Sequence, residues 1–398
     1  MPWKAWRRRS RRCRGRRPVW WKRMRFIVAV QEDPRGNFAR LCRQFGISRG
    51  EGYKWLERYR ARGPEGLQDQ PPTARHHPNQ TPDPVVDRIL QLRKERPYDG
   101  PRKLRTLLTE REPELEVPAA STIGEILDRH GLIRPRRLRL RVPPSSNPLG
   151  HAAAPNDLWC TDFKGDFALN KAERCYPLTV TDAASRYLLK CEGLRHPTEQ
   201  LARPHFERAF REFGLPDRIR SDNGAPFASK AIGGLSRLSV WWIELGITPE
   251  RIEPGQPQQN GRHERMHLTL KQQTASPPQT TMVDQQRVMD RFRHDYNDVR
   301  PHEALGQTPP ARHYAPSHRP MPETPPGAQY RPGFQVRQVG PNGYVSWLGE
   351  PMQLGKLLAS QPVGFREIDN DEWELHYGPV MLGHVLLRDG KPRLERLR

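Results

Sequence analysis

Apolar residues recur along this chain first at the spacing of helices and then, beyond residue 155, at the spacing of strands. Phe38, Leu41, Cys42 and Phe45 follow i, i+3, i+4, i+7 and form one face of a helix. Gly46-Ile47 turns the chain. Ser48 and Glu51 then have the S-x-x-E form that opens a helix by capping its first amides. Tyr53, Trp55, Leu56 and Tyr59 carry that helix to a Gly63-Pro64 stop. Helix, glycine turn and capped helix is the helix-turn-helix pattern, predicted over residues 23–63. Residues 64–82, rich in Pro, Gln and His, read as a linker. Three further helices are predicted within 83–141: one through Val85, Ile89 and Leu92, one through Leu104, Leu107 and Leu108, and a third opened by Thr122 and Glu125 and ended at Gly131. They read as a second unit resembling a helix-turn-helix. It leaves through the basic run from Arg134 to Arg141, which includes Arg136 and Arg137.

After a linker at 142–154 the period shortens. LWCTDFKGDFAL, CYPLTVTDA and YLLKCEGL read as three successive strands joined by short turns, hence antiparallel. A helix over 198–213 follows, then a short strand at Arg218-Ile219-Arg220, a helix around 234–246, a strand near Arg251-Ile252, and a helix over 258–274. Three strands, helix, strand, helix, strand, helix is the order of an RNase H-like core, placed at 155–300 and ending in a helix over 282–297. A Pro-rich connector spans 301–329. Residues 330–398 alternate apolar and polar between turn residues, which predicts a small β-barrel. The fold class is therefore multidomain α+β: helix-turn-helix units, an RNase H-like α/β core and a C-terminal β domain.

Charge adds a partner. The formal net charge of the 398 residues is +22 and the pI about 10.3, which favours a polyanion. Residues 1–25 hold twelve Arg and Lys and no acid, yet the rest of the chain keeps an excess of ten positive charges. Residues 1–22 read as a disordered basic arm. Within the helix-turn-helix, the start of the second helix meets base edges, so Arg49 and Lys54 are expected DNA contacts. Arg136 and Arg137 are expected to track phosphates. The five cysteines, at 13, 42, 160, 175 and 191, have no CxxC pair. His76-His77 reads as part of a polar linker. This excludes a zinc ribbon or redox pair and predicts free thiols in a reducing cytosol. No run approaches the roughly 18 apolar residues of a membrane span, so a cytoplasmic, nucleoid-associated protein is expected.

Phosphodiester cleavage by in-line attack is well served by two metal ions ~3.5–4 Å apart held by carboxylates. Asp162 alternates with Trp159, Thr161 and Phe163 in the first core strand, where an acid is costly unless paired or metal-bound. Asp166 follows Lys164-Gly165 and reads as a solvent-facing decoy. Asp222 ends a short strand at an Asn-Gly turn. Glu264 lies early in a helix and shares a face with Leu268 and Lys271 at i, i+4, i+7. Lys271 is thereby placed to meet a phosphate. Each acid alone also fits an ordinary turn or surface charge; the set, in this order, points to one site.

The segments LWCTDFKG, IRSDNGAPF, PGQPQQNGRHERMHLTLK and DYNDVRPHEALGQTP resemble those of DDE transposases, in particular the family of the insertion sequence IS481, and the wider retroviral integrase core. The resemblance covers roughly residues 36–398. It implies that Asp162, Asp222 and Glu264 are catalytic and hold two Mg2+ or Mn2+ ions. It implies a transposase acting on double-stranded DNA, at element ends and target, as a homo-oligomer. Hydrolysis frees a 3′-hydroxyl that then attacks target DNA. A DNA-binding regulator or inactive copy, and a nuclease without strand transfer, remain alternatives. In one respect the sequence departs from the pattern. Integrase-like cores place the second Asp and the Glu closer together, at a count that lands on Gln258. Here 41 residues separate Asp222 from Glu264. GGLSRLSVWWIEL, at 233–245, is expected to supply the extra length by enlarging the intervening helix. Glu250 and Glu253 are rival ligands but flank the strand before that helix.

Overall fold

The computed structural model describes residues 19–69, 80–133, 152–163, 165–253 and 261–396. The chain divides into two compact units, Met1–Gln80 and Thr81–Arg398. No described helix is long and apolar enough to cross a membrane.

The first unit packs helices α1 (Val19–Glu32), α2 (Phe38–Phe45) and α3 (Arg49–Arg62) around Phe26, Ile27, Cys42, Trp55 and Leu67. α1 starts inside the stretch expected to be unstructured. The backbone amide of Arg40 donates to the Asn37 side chain at 3.1 Å at the start of α2. α2 stops at Gly46, whose φ of 60° suits a glycine. The Glu51 amide donates to Ser48 Oγ at 3.1 Å, as the S-x-x-E pattern predicts. Gly52 lies in the angle between helices. A Cβ there would sit 2.9 Å from Cys42 Sγ and 3.0 Å from Phe26 and Phe38. This glycine serves packing within the unit.

The second unit opens with α4 (Asp83–Glu95), α5 (Pro101–Arg111) and α6 (Ala120–Arg129), whose leucines and isoleucines share one core. Thr122 and Glu125 do not cap α6. The helix begins at Ala120 with no side-chain cap, so both residues lie inside it. The central sheet runs β4 (Leu188–Leu194), β3 (Arg174–Asp182), β1 (Trp159–Phe163), β5 (Arg218–Ser221), β6 (Thr248–Arg251), with the two-residue β2 (Phe167–Ala168) also on β3. β1, β3 and β4 are antiparallel neighbours; β1–β5 and β5–β6 are parallel. Alternation sorts the side chains. Trp159, Leu178, Val180 and Ile219 join one core with α7 (Glu199–Phe213) and α8 (Arg237–Glu244). On the other face Cys175 and Cys191 pack with α9 (Gly261–Thr274) and α10 (Met282–His294). All four described cysteines are buried thiols, and none forms a disulfide.

The segment 233–245 does not enlarge a helix. α8 has eight residues. Before it, Gly233 and Gly234 take φ of 62° and 65°, and a Cβ on Gly233 would meet Leu382 at 2.8 Å. Ile232, Leu235, Val240 and Ile243 belong to the core of the C-terminal domain. The extra length is a glycine turn and a helix face onto which that domain docks.

The C-terminal domain is not a closed barrel among the described residues. β7 (Gln335–Gln338), β10 (Pro362–Asp369), β11 (Glu372–Tyr377), β12 (Val380–Arg388) and β13 (Lys391–Arg396) form an open sheet in the order β13-β12-β11-β10-β7. β8 (Tyr344–Trp347) and β9 (Glu350–Gln353) form a separate hairpin. Trp347 stacks on Phe365 at 3.9 Å, bringing the hairpin onto the sheet.

A buried ion cluster ties the α4–α6 bundle to the end of the core. Asp99 is 1% exposed. Its carboxylate lies 3.2 Å from Arg96 and 2.7 Å from Arg300, and Arg96 also pairs with Asp295. This explains the DYNDVRPHEAL segment: Asp295 and Arg300 fold back from the far end of the core onto the Arg96–Asp99 turn. Burial next to Lys103 and Arg300 pushes the His302 imidazole down to about 3. Asp99→Asn leaves buried Arg300 without its carboxylate, while Arg96 keeps Asp295, and should cost about 3 kcal/mol in urea unfolding of the full chain; an unchanged midpoint would contradict a stabilising cluster. His302 adds a pH dependence. As pH falls from 6.5, the unfolded chain protonates His302 while the folded chain does not, so stability drops until about pH 3. His302→Gln should flatten that slope between about pH 6.5 and 4, and an equally steep loss would assign it to other groups.

Candidate active site and DNA-facing surface

Asp162 projects from β1 on the face opposite Trp159 and Phe163, toward α9. β1 and β5 pair in parallel, Trp159 with Ile219 and Cys160 with Arg220. The same register continued two residues brings Asp162 level with Asp222, just beyond the end of β5. Asp222 is half-buried, and its Oδ1 accepts the Gly224 amide at 3.1 Å in an Asx turn. A Cβ on Gly224 would lie 3.0 Å from Asp222 Oδ2, so the glycine gives the carboxylate room.

α9 is held against this face by two histidines spaced i, i+4. His263 and His267 are each 2% exposed. Thr179 Oγ1 lies 2.8 Å from His263 Nε2 and 2.7 Å from His267 Nε2, and Thr181 Oγ1 lies 2.8 Å from His263 Nδ1. Thr179 is the β3 partner of Asp162. His267 Nδ1 is 3.7 Å from Asp162 Oδ2. Glu264, one position beyond His263 and three before His267, is exposed, as are Leu268 and Lys271. The helix thus turns an exposed Glu264–Leu268–Lys271 strip outward while its histidines grip the sheet beside Asp162. Among the described residues no three His, Cys, Asp or Glu side chains stand close enough to hold a metal ion.

The neighbouring acids are engaged elsewhere. Asp166 is exposed and paired with Arg174. Glu250 is held by Arg220 at 3.1 Å and by Arg218 at 3.5 Å. Asp182 is fully buried; its carboxylate accepts the amides of Asn156 and Ser185 and the Ser185 hydroxyl, organising a turn, and burial raises its pKa against those bonds. His263, His267, Thr179 and Thr181 were missed in the sequence. The signal was present: RHERMH places two histidines four apart around the glutamate, and LTVTD places two threonines on one strand face. In the first unit, Arg49 and Lys54 are exposed at the start of α3, with Tyr53 at 57% exposure between them. Arg136, Arg137 and His76-His77 lie outside the described residues.

Residues 152–257 and 245–310 match two Integrase core domain families. Residues 22–76 match a Helix-turn-helix domain and 52–127 a Homeodomain-like domain. The insertion element IS407 uncharacterized 31.7 kDa protein of Burkholderia multivorans is 28% identical over 295 residues, covering 74% of this chain and 95% of that one. The insertion element IS476 uncharacterized 39.2 kDa protein of Xanthomonas euvesicatoria is 30% identical over 242 residues, covering 60% and 67%. This chain belongs to the integrase-core family of insertion elements. It is transposase-like, a polynucleotidyl transferase core joined to helix-turn-helix DNA-binding domains. A chain of the simian T-cell lymphotropic virus intasome aligns with it at 16% identity, covering 74% of this chain and 97% of that one, with a TM-score of 0.37.

For this transposase-like protein, Arg49→Ala combined with Lys54→Ala should weaken duplex binding and lower the slope of log affinity against log salt by about one for each phosphate no longer neutralised. An unchanged affinity and slope, measured by fluorescence anisotropy, would remove the start of α3 from the DNA surface.

Proposed function

We propose that Asp162, Asp222 and Glu264 hold two divalent ions, Mg2+ or Mn2+, and that the protein cuts insertion-element ends and joins them to target DNA. The observation that carries this reading is the parallel pairing of Trp159 with Ile219 and Cys160 with Arg220, a register that, continued two residues, would bring Asp162 level with Asp222. The donor chemistry suits a hard cation: carboxylate oxygens from two strand ends and an exposed glutamate on the helix docked beside them. Glu264, on the exposed strip of α9, would supply the third carboxylate. The ions, when bound, stabilise charge on the attacking and leaving oxygens.

The chain's own groups do the rest. Water attacks the phosphodiester at the element end, one P–O bond forms, another breaks, and a 3′-hydroxyl leaves. That hydroxyl then attacks a target phosphodiester and displaces its 3′-oxygen, so the number of phosphodiester bonds is conserved in the second step. Lys271, two turns along the exposed strip from Glu264, neutralises a DNA phosphate and positions the strand. The units at 23–63 and 83–141 read the element ends, through Arg49 and Lys54 in one and through Arg136 and Arg137 at the exit of the other. Residues 155–300 are the catalytic core and 330–398 an accessory β domain. Joining two ends calls for a homo-oligomer, and the substrate sets its place as the nucleoid.

Asp162→Asn and Glu264→Gln should each abolish Mg2+-dependent nicking and joining of a labelled duplex, by at least about a hundredfold, while binding of that duplex persists. Joining at the wild-type rate by either variant would overturn the assignment.

A further inference from the structure

We infer that His267 is a positioning residue for Asp162, fed by a one-way hydrogen-bond relay Thr181–His263–Thr179–His267. The inference rests on the metal-site reading above and extends it to residues that touch no substrate.

The relay follows from counting hydrogens. A neutral imidazole has one N–H and one bare nitrogen, and a hydroxyl has one hydrogen to give. Thr181 Oγ1 lies 2.8 Å from His263 Nδ1, much nearer than the Cys160 carbonyl oxygen at 3.5 Å. His263 Nε2 lies 2.8 Å from Thr179 Oγ1, which lies 2.7 Å from His267 Nε2. If Thr181 donates to His263 Nδ1, the ring's proton is on Nε2 and is donated to Thr179. Thr179 then gives its own hydrogen to His267 Nε2, and the His267 proton is left on Nδ1. Nδ1 is the atom 3.7 Å from Asp162 Oδ2. After Thr181, every member takes one hydrogen and passes one on, and the last N–H is left on the nitrogen nearest the carboxylate.

The competing arrangement is less favourable. Thr179 Oγ1 also lies 3.2 Å from the Asp162 carbonyl oxygen. A hydrogen directed there would leave both histidines donating to Thr179 through Nε2, and the bare lone pair of His267 Nδ1 would face the carboxylate. The shorter separation of Thr179 from His267, 2.7 Å, and the sign of the charge on Asp162 both select the relay. At 3.7 Å the last contact is electrostatic. Both rings are 2% exposed, so water does not replace the relay. A ligand carboxylate oriented from behind in this way presents its other oxygen outward, and loss of such support typically costs about ten- to a hundredfold in metal affinity.

The two ring nitrogens have different jobs, and amide side chains separate them. Asparagine at 267 places its amide where Nδ1 stood and keeps a donor for Asp162. Glutamine places its amide where Nε2 stood and keeps the Thr179 contact alone. Mn2+ binding to the full-length protein without DNA, followed by the EPR signal of the free ion, is the readout. His267→Leu and His267→Gln should weaken Mn2+ binding by about tenfold or more, whereas His267→Asn should stay within about threefold of wild type. A merely structural histidine predicts the reverse order, glutamine rescuing and asparagine failing; that order, or unchanged binding by His267→Leu, would overturn the inference. If His267→Leu does not fold, the Asn and Gln pair decides it. Asp162→Asn serves as the control: if it leaves Mn2+ binding intact, the metal-site reading itself fails, and if it alone abolishes binding, only the relay does.

Discussion

The parallel pairing of β1 with β5 is the interaction on which the site depends, and it is secured by burial on one face. Trp159 and Ile219 are register partners, both fully buried in the core beneath α7 and α8. A slip of β1 by one residue would turn Trp159 out of that core and carry Asp162 to the wrong face, because strand side chains alternate. Hydrophobic packing on one side of the sheet therefore fixes a polar alignment on the other. The turn after β5 continues the same logic: Asp222 is held by the Gly224 amide, and Gly224 has no side chain to crowd it.

The opposite face supplies the second constraint. α9 is anchored apolarly by Met266 and Leu270 and polarly by His263 and His267 on the threonines of β3. Buried polar groups of this kind are costly unless every member is satisfied, so the helix is fixed in rotation as well as position. That rotation leaves Glu264, Leu268 and Lys271 on the exposed strip. The core is also clamped beyond the sheet. Asp99 and Arg300 join the α4–α6 bundle to the segment after α10, and the glycine turn at 233–234 receives the C-terminal sheet. Both attachments fasten a neighbouring module to the same core.

Much of this was legible in the sequence, and the reasons are local. Periodicity and turn chemistry placed α2 and α3, and alternation placed β1, β3 and β4. Asp162 stood out as an acid within an apolar strand, Asp222 as one at a strand end before an Asn-Gly turn, and Glu264 as one early in a helix, and it was their order that pointed to one site. Three readings went astray for want of tertiary information. Thr122 and Glu125 have capping-box spacing, but α6 starts after Ala119, where burial of Ile123, Ile126 and Leu127 sets the helix rather than a side-chain cap. GGLSRLSVWWIEL read as a longer helix, whereas Gly233 and Gly234 serve the C-terminal domain, a partner no local window contains. Alternation in 330–398 predicted strands but not closure, since barrel and open sheet share the same period. The histidine–threonine relay was missed because its threonines lie on β3 and its histidines on α9, with most of the core's sequence between them.

The central claim is that three carboxylates, distant in sequence, surround one metal site. Replacing the metal with Fe2+ and adding ascorbate and peroxide generates radicals that cut the backbone nearest the ion, and the fragments can be read by mass spectrometry. The account predicts cuts clustered at three places, near Asp162 at the end of β1, across Ser221–Gly224, and at the start of α9 around Glu264, all suppressed by excess Mg2+. Cuts centred on Glu250 or in the C-terminal sheet, with none at those three places, would contradict it.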